Sequence, residues 1–490
     1  MESALHLRHE FLGRGGHALS SRRRLGGGRV RRFVAGTMAL AAAGAYVWLV
    51  LGGVPPERSG SPARPPGGAP PPPEVADLAP DPEAASLLPR WDDAWAAGLE
   101  PATDSAADVV AAGAAERAWA FMVRNYSPRT GLVRAHDDYR FVTMWDVASA
   151  LAGYYAAGRL GLTDPQDYRE RAGRALRTLA TAPLFEDRLF NKVYDAETGA
   201  ALDAETLPSA DGYGWSAVDL GRLLIWLRIL HDEDPDLAPL ANSVVARLDL
   251  EAALGDGVLL GRERGPILGS RSYQEGRIGY EQYAARGFAL WGGAARTAED
   301  PFANAVIDTV HGRPVPRDVR GADCLTSEPI VLAGMEFGWD ATWGELARAT
   351  LEAQHARYLA TDTVTIVSED ASSTPPHYFY YYCVSSGGEP FVVTAKGDGG
   401  GIDGPRWVSA KASLAWYALA PSAYTALAVR TVGDGAGDEG WPAGVLEGAP
   451  IPSGGENVNT AGVTLEAALY ASVGAPFLNP QRAEGSSAPR

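Results

Sequence analysis

From Asp108 to about Val473 the chain repeats one theme: an apolar segment with helical period, a connection rich in Gly, Pro and Asp, and another such segment. Strand-like alternation is scarce. Helix-period segments run over Asp108–Asn125, Thr143–Leu162, Asp164–Ala182, Ser216–Asp232, Leu237–Leu248, Gly279–Arg296, Glu328–Phe337, Ala341–Leu359, Ser409–Leu419, Ser422–Val432 and Thr460–Val473. In Ser216–Asp232, the residues Val218, Leu220, Leu223, Leu224, Leu227 and Leu230 leave little polar face, which is the mark of a helix buried all round. Short β-like stretches occur at Thr363–Val367 and Phe391–Thr394. Eleven or twelve helices in roughly six pairs, without the fixed period of a solenoid, predict an all-α chain folded as an (α/α)6 toroid. Its inner helices would be apolar on both flanks, its outer helices amphipathic, and its long loops gathered at one mouth.

Ahead of that domain, the run Phe33–Val54 carries no charge and is long enough, at roughly 20 residues per hydrocarbon core, to cross a bilayer as a helix. Arg22, Arg23, Arg24, Arg29, Arg31 and Arg32 precede it, and only Arg58 and Arg64 follow closely, so the positive-inside rule puts the N-terminus in the cytoplasm. A cleaved signal peptide is the competing reading, but the run exceeds an ordinary h-region and ends at Pro55 and Pro56 without a small-x-small site. The stretch that follows, with Pro70–Pro73, reads as an extended spacer. The expected organisation is a cytoplasmic basic tail over 1–32, a transmembrane helix over 33–54 that contacts the lipid bilayer, a linker over 55–81, the toroid over 82–480 and a disordered tail over 481–490. The protein would then be a single-pass protein of the cell membrane with its large domain outside the cytoplasm.

The chain's net charge is −17, although eight arginines sit in the first 32 residues. The part beyond the membrane is therefore more acidic still and repels the phosphates that supply most nucleic-acid affinity, which excludes nucleic acid as a partner. Cys324 and Cys383 are the only cysteines; in an oxidising compartment they form one disulfide or stay as two buried thiols. Two cysteines so far apart make no metal site. No HExxH, GxSxG or Cys–His arrangement occurs, and Gly397–Gly404 lacks the Lys-Ser/Thr of a phosphate loop, so neither a metal nor a cofactor is expected.

Chemistry-bearing residues cluster where the candidate inner helices start: Trp145–Asp146, Trp215 with Asp219, Tyr280–Glu281, Ser327–Glu328, Trp407 near Lys411, and Asn457–Thr460. Each alone reads as an ordinary cap worth about 1 kcal/mol, or as a carboxylate complementing the helix dipole. Their coincidence points further, because in a toroid these starts converge on one mouth. Aromatic faces beside carboxylates suit a glycan: rings stack on pyranose faces, one carboxylic acid protonates the leaving oxygen, and a second carboxylate serves as base or nucleophile. Loops add Glu369 and Asp370, the aromatic run His377–Tyr382 that includes Tyr378, and Trp441 with Glu447. The tyrosine run reads equally well as a hydrophobic plug.

Several segments in order resemble the bacterial DUF3131 family: Gly279-Tyr-Glu-Gln-Tyr-Ala-Ala285, Thr326-Ser-Glu-Pro-Ile-Val-Leu332, Met335-Glu-Phe-Gly-Trp-Asp340, Val367-Ser-Glu-Asp370, Ser409-Ala-Lys-Ala412, Gly440–Glu447 and Asn459-Thr-Ala-Gly-Val-Thr-Leu-Glu466. The resemblance spans roughly Asp108 to Pro480. It implies a toroid distantly similar to glucoamylase-like enzymes that act on β-glucans, with Glu281, Glu328, Glu369, Asp370 and Glu447 as the carboxylates matching the family's motifs. This chain has Asn459-Thr460-Ala461-Gly462 where the family pattern carries a second Asn, so an amide contact is missing at Ala461.

These readings combine into a membrane-anchored extracytoplasmic protein, glycoside hydrolase-like or transglycosylase-like, that works on an envelope or extracellular glucan with paired carboxylates. Glu281 is the expected general acid, with Asp370 or Glu447 as its partner. The polysaccharide or oligosaccharide would be held by Trp145, Asp146, Trp215, Asp219, Tyr280, Tyr378, Trp407 and Trp441. A non-catalytic polysaccharide-binding or assembly factor would use the same aromatics but need no carboxylate pair.

Overall fold

The computed structural model describes residues 104–478 apart from 266–268, 321–322, 372–378, 395–400 and 438–439. The basic tail, the apolar run 33–54, the linker, the tail over 481–490 and Tyr378 therefore lie outside the described residues. Among the described residues, no helix is long and apolar enough to cross a membrane.

Twelve helices of eight residues or more are present among the described residues. They are α1 (Ser105–Ala112), α2 (Ala114–Asn125), α3 (Met144–Leu160), α4 (Pro165–Thr181), α5 (Ala217–Glu233), α6 (Ala238–Val245), α7 (Tyr280–Ala289), α8 (Glu328–Glu336), α9 (Ala341–Thr361), α10 (Ala410–Leu419), α11 (Ala423–Gly433) and α12 (Val458–Val473). Their ends follow local chemistry. Asp164 caps α4 with Pro165 in its first turn, and Thr143 and Asp146 form a reciprocal capping box on α3. Left-handed Gly161 and Gly474 close α3 and α12. The helix expected over Asp108–Asn125 is two helices, because Gly113 interrupts it. That expected over Gly279–Arg296 stops at Ala289, before Gly292 and Gly293.

The inner ring closes: α3, α5, α7, α8, α10 and α12 pack each against the next, and α12 returns to α3. Outside them, α4 lies on α3, α6 on α5, α9 on α8, α11 on α10, and α2 on α12, so the first long helix completes the last hairpin. Among the described residues, the helix in the outer place beside α7 is the one-turn helix Arg296–Glu299. This is a helix-rich α/α toroid. Its inner contacts need small residues: a Cβ on Gly221 would stand 2.5 Å from Ala284 Cα, and one on Gly462 would stand 2.5 Å from the Ser149 carbonyl. Replacing either glycine would push α5 off α7 or α12 off α3.

The expectation of an all-α chain is corrected by fifteen short strands among the described residues, all paired antiparallel in sheets of two to four. The longer ones are β1 (Val258–Arg264), β2 (Ser270–Gln274), β3 (Ala305–Val310), β4 (Arg313–Asp318), β5 (Glu369–Ala371), β6 (Phe379–Ser386), β7 (Glu389–Thr394), β8 (Trp407–Ser409) and β9 (Gly444–Leu446). They sit in the connections between helices. Most are too short to show a period of two, and Pro314 and Pro316 disguise β4 as a loop. The stretch Thr363–Val367 is no strand; pairing begins at β5, where Glu369 faces Tyr381 and Asp370 faces Tyr380 across to β6.

Cys324 and Cys383 form a disulfide, which settles the alternative left open by the sequence. It ties the segment entering α8 to β6. Around it, Tyr139, Phe141, Val193, Leu202, Ala371 and Tyr381 form a small buried cluster separate from the main core.

Candidate active site

The starts of the six inner helices meet at one mouth, where a cleft with about 770 Å³ of open space is lined by the starts of α3, α5, α7, α10 and α12 and by β5 and β6, with the start of α8 just behind. The lining carries four carboxyls, Asp146, Asp219, Glu275 and Glu369, together with Trp145, Tyr280 and Tyr381, the cations Arg277 and Lys411, and Asn457 and Asn459.

Each carboxyl is held differently. Asp146 completes the α3 capping box, its Oδ2 accepting from the Thr143 backbone N–H at 2.9 Å and from the Thr143 hydroxyl at 3.0 Å. Asp219 occupies the equivalent position on α5 but does not cap. The Ser216 hydroxyl accepts its N–H at 3.0 Å, while Asp219 Oδ2 is buried without a hydrogen-bond partner. Glu275 accepts from the Ala217 N–H at 2.5 Å, at the α5 N-terminus. Glu369 receives Arg277 Nη2 at 2.6 Å, and that guanidinium is sandwiched between the Tyr280 and Tyr381 rings, 4.8 and 4.0 Å from their centroids.

One carboxylate joins the ring together. Glu328, at the first position of α8 and 1% exposed, accepts from Trp145 Nε1 at 3.1 Å, Asn459 Nδ2 at 2.6 Å, Tyr280 Oη at 3.2 Å and Lys411 Nζ at 2.8 Å. Arg222 Nη1 of α5 lies 3.9 Å away. All five other inner helices therefore reach Glu328. Below it, Arg222 bonds Glu466 at 2.9 Å and lies 4.8 Å over the Trp145 ring, which fixes the face that Trp145 turns to the cleft.

Burial and like charge shift these groups apart. Burial raises Asp219 well above the ordinary carboxylate range, and the neighbouring Glu275 and Asp146 add to it. Glu369 is pushed up to about 7, because burial, with the charge of Glu328, outweighs Arg277. Burial likewise lifts Asp146 and Asp370 to about 6, against Thr143 in the first case and Lys411 in the second. Glu328 is the exception: burial acts upward on it too, but Lys411 and Arg222 hold it below its usual value.

A consequence for stability follows. Carboxyls whose native pKa exceeds the unfolded value of about 4 bind more protons folded than unfolded, so stability falls as pH rises between the two values. For Asp146, Asp370 and Glu369 that window runs from about 4 to about 7. Denaturant titrations at pH 5 and pH 8 should show a lower midpoint at pH 8. An unchanged or higher midpoint would mean that these groups are ionised throughout.

Of the residues expected from sequence, Trp145, Asp146, Asp219, Tyr280 and Glu369 line the cleft. Glu328 and Asp370 stand just behind it, both against Lys411, with Asp370 also accepting from the Ser409 hydroxyl at 3.2 Å. Glu281 does not face the cleft. It is fully buried behind Gly276, where it takes Arg320 Nη2 at 2.5 Å and Gln274 Nε2 at 3.1 Å. Glu447 is bound by both terminal nitrogens of Arg357 and by the Tyr382 hydroxyl, away from the lining. Trp215 and Trp441 are core residues donating to the Leu260 and Ala114 carbonyls, and Trp407 is buried in β8. These placements correct the catalytic expectation for Glu281 and Glu447 and the binding expectation for the three tryptophans.

Sequence reading overlooked Glu275 and Arg277. Their signal was the pair of glycines around Arg277: Gly276 and Gly279 take φ of 115° and 87°, backbone that ordinary residues rarely adopt, and so turn the segment into the cleft. Among the described residues, no group of three or more His, Cys, Asp or Glu is set to hold a metal ion.

Solved structures share this architecture. A putative glucoamylase from Bacteroides caccae superposes with a TM-score of 0.57 at 14% identity, covering 75% of this chain and 94% of that one. The endo-β-1,2-glucanase from Chitinophaga pinensis, in complex with sophorotriose and glucose, gives 0.55 at 12%, covering 75% and 93%. The β-1,2-glucanase from Parabacteroides distasonis gives 0.57 at 12%, covering 76% and 57%. Identity this low establishes a common fold and nothing finer. No curated protein matches the sequence. A family model does: residues 113–474 match the family described as protein of unknown function (DUF3131), and the chain belongs to that family, with a fold distantly like that of the glucoamylases.

Proposed function

We propose that this domain is a glycoside hydrolase or transglycosylase acting on an envelope or extracellular glucan, held at the outer face of the cell membrane by residues 33–54. The observation that carries this reading is Asp219: a buried carboxyl with an unpartnered oxygen, in an aromatic-lined cleft that holds three further carboxyls. Buried carboxyl oxygens are ordinarily partnered; among the described residues Asp219 Oδ2, Glu263 Oε2 and Glu466 Oε2 are not, and of these three residues Asp219 is the one that lines the cleft.

In this reading Asp219 is the general acid. Burial, with Glu275 and Asp146 nearby, favours its protonated form, and that proton goes to the glycosidic oxygen as the C–O bond breaks. Glu369 is the partner carboxylate that takes the proton of the attacking water or hydroxyl, with Arg277 and Tyr280 fixing its orientation. Trp145 and Tyr280 offer ring faces to the sugar. Two acids whose environments set their ionisation apart are what acid–base cleavage requires.

β-1,2-Glucan is the first substrate to try, because two proteins of similar fold carry that activity in their names. Product release from a panel of β-glucans and envelope oligosaccharides, followed by chromatography, tests the reading. The rate kcat/KM should rise through about pH 7 as Glu369 loses its proton and fall on the alkaline side as Asp219 ionises. Tight binding without turnover on every glycan would instead favour the non-catalytic polysaccharide-binding role. Absence of both binding and turnover would end the carbohydrate reading.

A further inference from the structure

We propose that Glu328 is a positioning residue of the cleft: one carboxylate, bonded by four lining side chains, that fixes Trp145, Tyr280, Lys411 and Asn459 for substrate and tunes the ionisation of Glu369. The inference rests on the reading of this cleft as a hydrolytic site and assigns a task to a carboxylate that does not line it.

The geometry leaves Glu328 no freedom to react. Both of its oxygens are already occupied, Oε1 by the Trp145 indole and the Asn459 amide, and Oε2 by Lys411 and the Tyr280 hydroxyl. Its position at the start of α8 adds the favourable end of a helix dipole. A general acid needs a proton to give. A nucleophile needs an exposed lone pair. Glu328 has neither, whereas the four side chains that it holds are all cleft-lining groups.

Its second effect is electrostatic: Tyr280 donates to Glu328 and lines the same cleft as Glu369, and the charge of Glu328 opposes ionisation of Glu369. The groups facing Glu369 are Arg277 on the loop before α7, Tyr280 on α7, Tyr381 on β6, Glu328 on α8, Lys411 on α10 and Asp219 on α5. Of the nearby charges, Arg277 and Lys411 favour ionised Glu369 and Glu328 opposes it, with Glu328 acting more strongly than Lys411. Glu369 thus stays near neutrality despite its bond to Arg277. Four donors and the nearby Arg222 explain why Glu328 is held below the usual carboxylate range while Glu369 and Asp370 are raised above it.

The test is Glu328→Gln in the full chain, which keeps shape and acceptor but removes the charge. Carbon-13 NMR titration of glutamate-labelled protein follows Glu369, its signal identified by loss in Glu369→Gln. In the wild type it should titrate near 7, and in Glu328→Gln its midpoint should fall by about one pH unit or more. Affinity for unhydrolysed sophorotetraose, read by calorimetry, should weaken in parallel as Trp145 and Asn459 lose their anchor. An unmoved Glu369 midpoint in a folded Glu328→Gln protein overturns the proposal. Should the single variant not fold, Glu328→Gln/Lys411→Met removes the cation together with the carboxylate and takes its place; because Lys411 favours ionised Glu369 less strongly than Glu328 opposes it, a smaller downward shift is expected. A shifted midpoint in Glu328→Gln, together with a wild-type protein that cleaves no glycan, would end the hydrolase reading and keep the positioning role. An active enzyme without the shift would do the opposite.

Discussion

Asp219→Asn should lower glucan cleavage by about 10²- to 10⁴-fold, the range that a positioned general acid contributes. The fold should not suffer. Asp219 Oδ2 has no partner to lose, and an amide replaces a carboxyl whose ionised form burial, Glu275 and Asp146 all disfavour, so the thermal midpoint should stay level. Glu281→Gln should behave in the reverse way. That residue is completely buried against Arg320, so neutralising it takes away one of that cation's two anionic partners, leaving Asp318, and lowers the midpoint, while the folded fraction keeps its turnover. Measuring turnover and calorimetric midpoint on both variants separates the roles. Full activity in Asp219→Asn, or a catalytic loss confined to Glu281→Gln, would return the acid to its sequence-expected place.

The second large effect concerns the disulfide. Replacing Cys324 and Cys383 by alanine, or reducing the bond, should destabilise the domain by about 2–5 kcal/mol, since the bridge closes a long loop in the unfolded chain. Its place matters as much as its magnitude. The bond anchors β6, and β6 carries β5 with Glu369 and Asp370 in register against Tyr381 and Tyr380. Activity should therefore fall before global unfolding, as a loosened β5 lets Glu369 leave Arg277. Titrating dithiothreitol while following both turnover and near-ultraviolet dichroism would detect this; simultaneous loss of the two signals would show that β5 is held by the rest of the sheet. A domain that depends on this bond suits an oxidising compartment, in keeping with the proposed location beyond the membrane.

Most of the helices were legible because burying one face of a helix writes a period of 3.6 into the sequence, and the boundaries of α3, α4, α5, α9, α10 and α11 follow it to within a residue or two. The strands were not legible, since two or three residues carry no period. That blindness explains the tryptophan errors. Trp145 lies inside the first turn of α3, where helical geometry directs it to the mouth. Trp215 and Trp407 precede their helices, on two- and three-residue strands, where a shift of one position sends a side chain to the opposite face. From the sequence all three read alike, an aromatic ring beside a polar helix start.

The sequence by itself determined the inner and outer helices, and it placed polar clusters at the inner helix starts, because capping and amphipathicity are local properties. Tertiary structure alone decided which carboxyls are available for chemistry. Glu281 meets Arg320, Glu447 meets Arg357, and Glu328 meets four donors and Arg222, all delivered from distant segments, while Asp219 meets no partner at Oδ2. The ionisation of a buried acid is set by what surrounds it in space, and neighbours that lie tens to hundreds of residues away leave no local pattern to read.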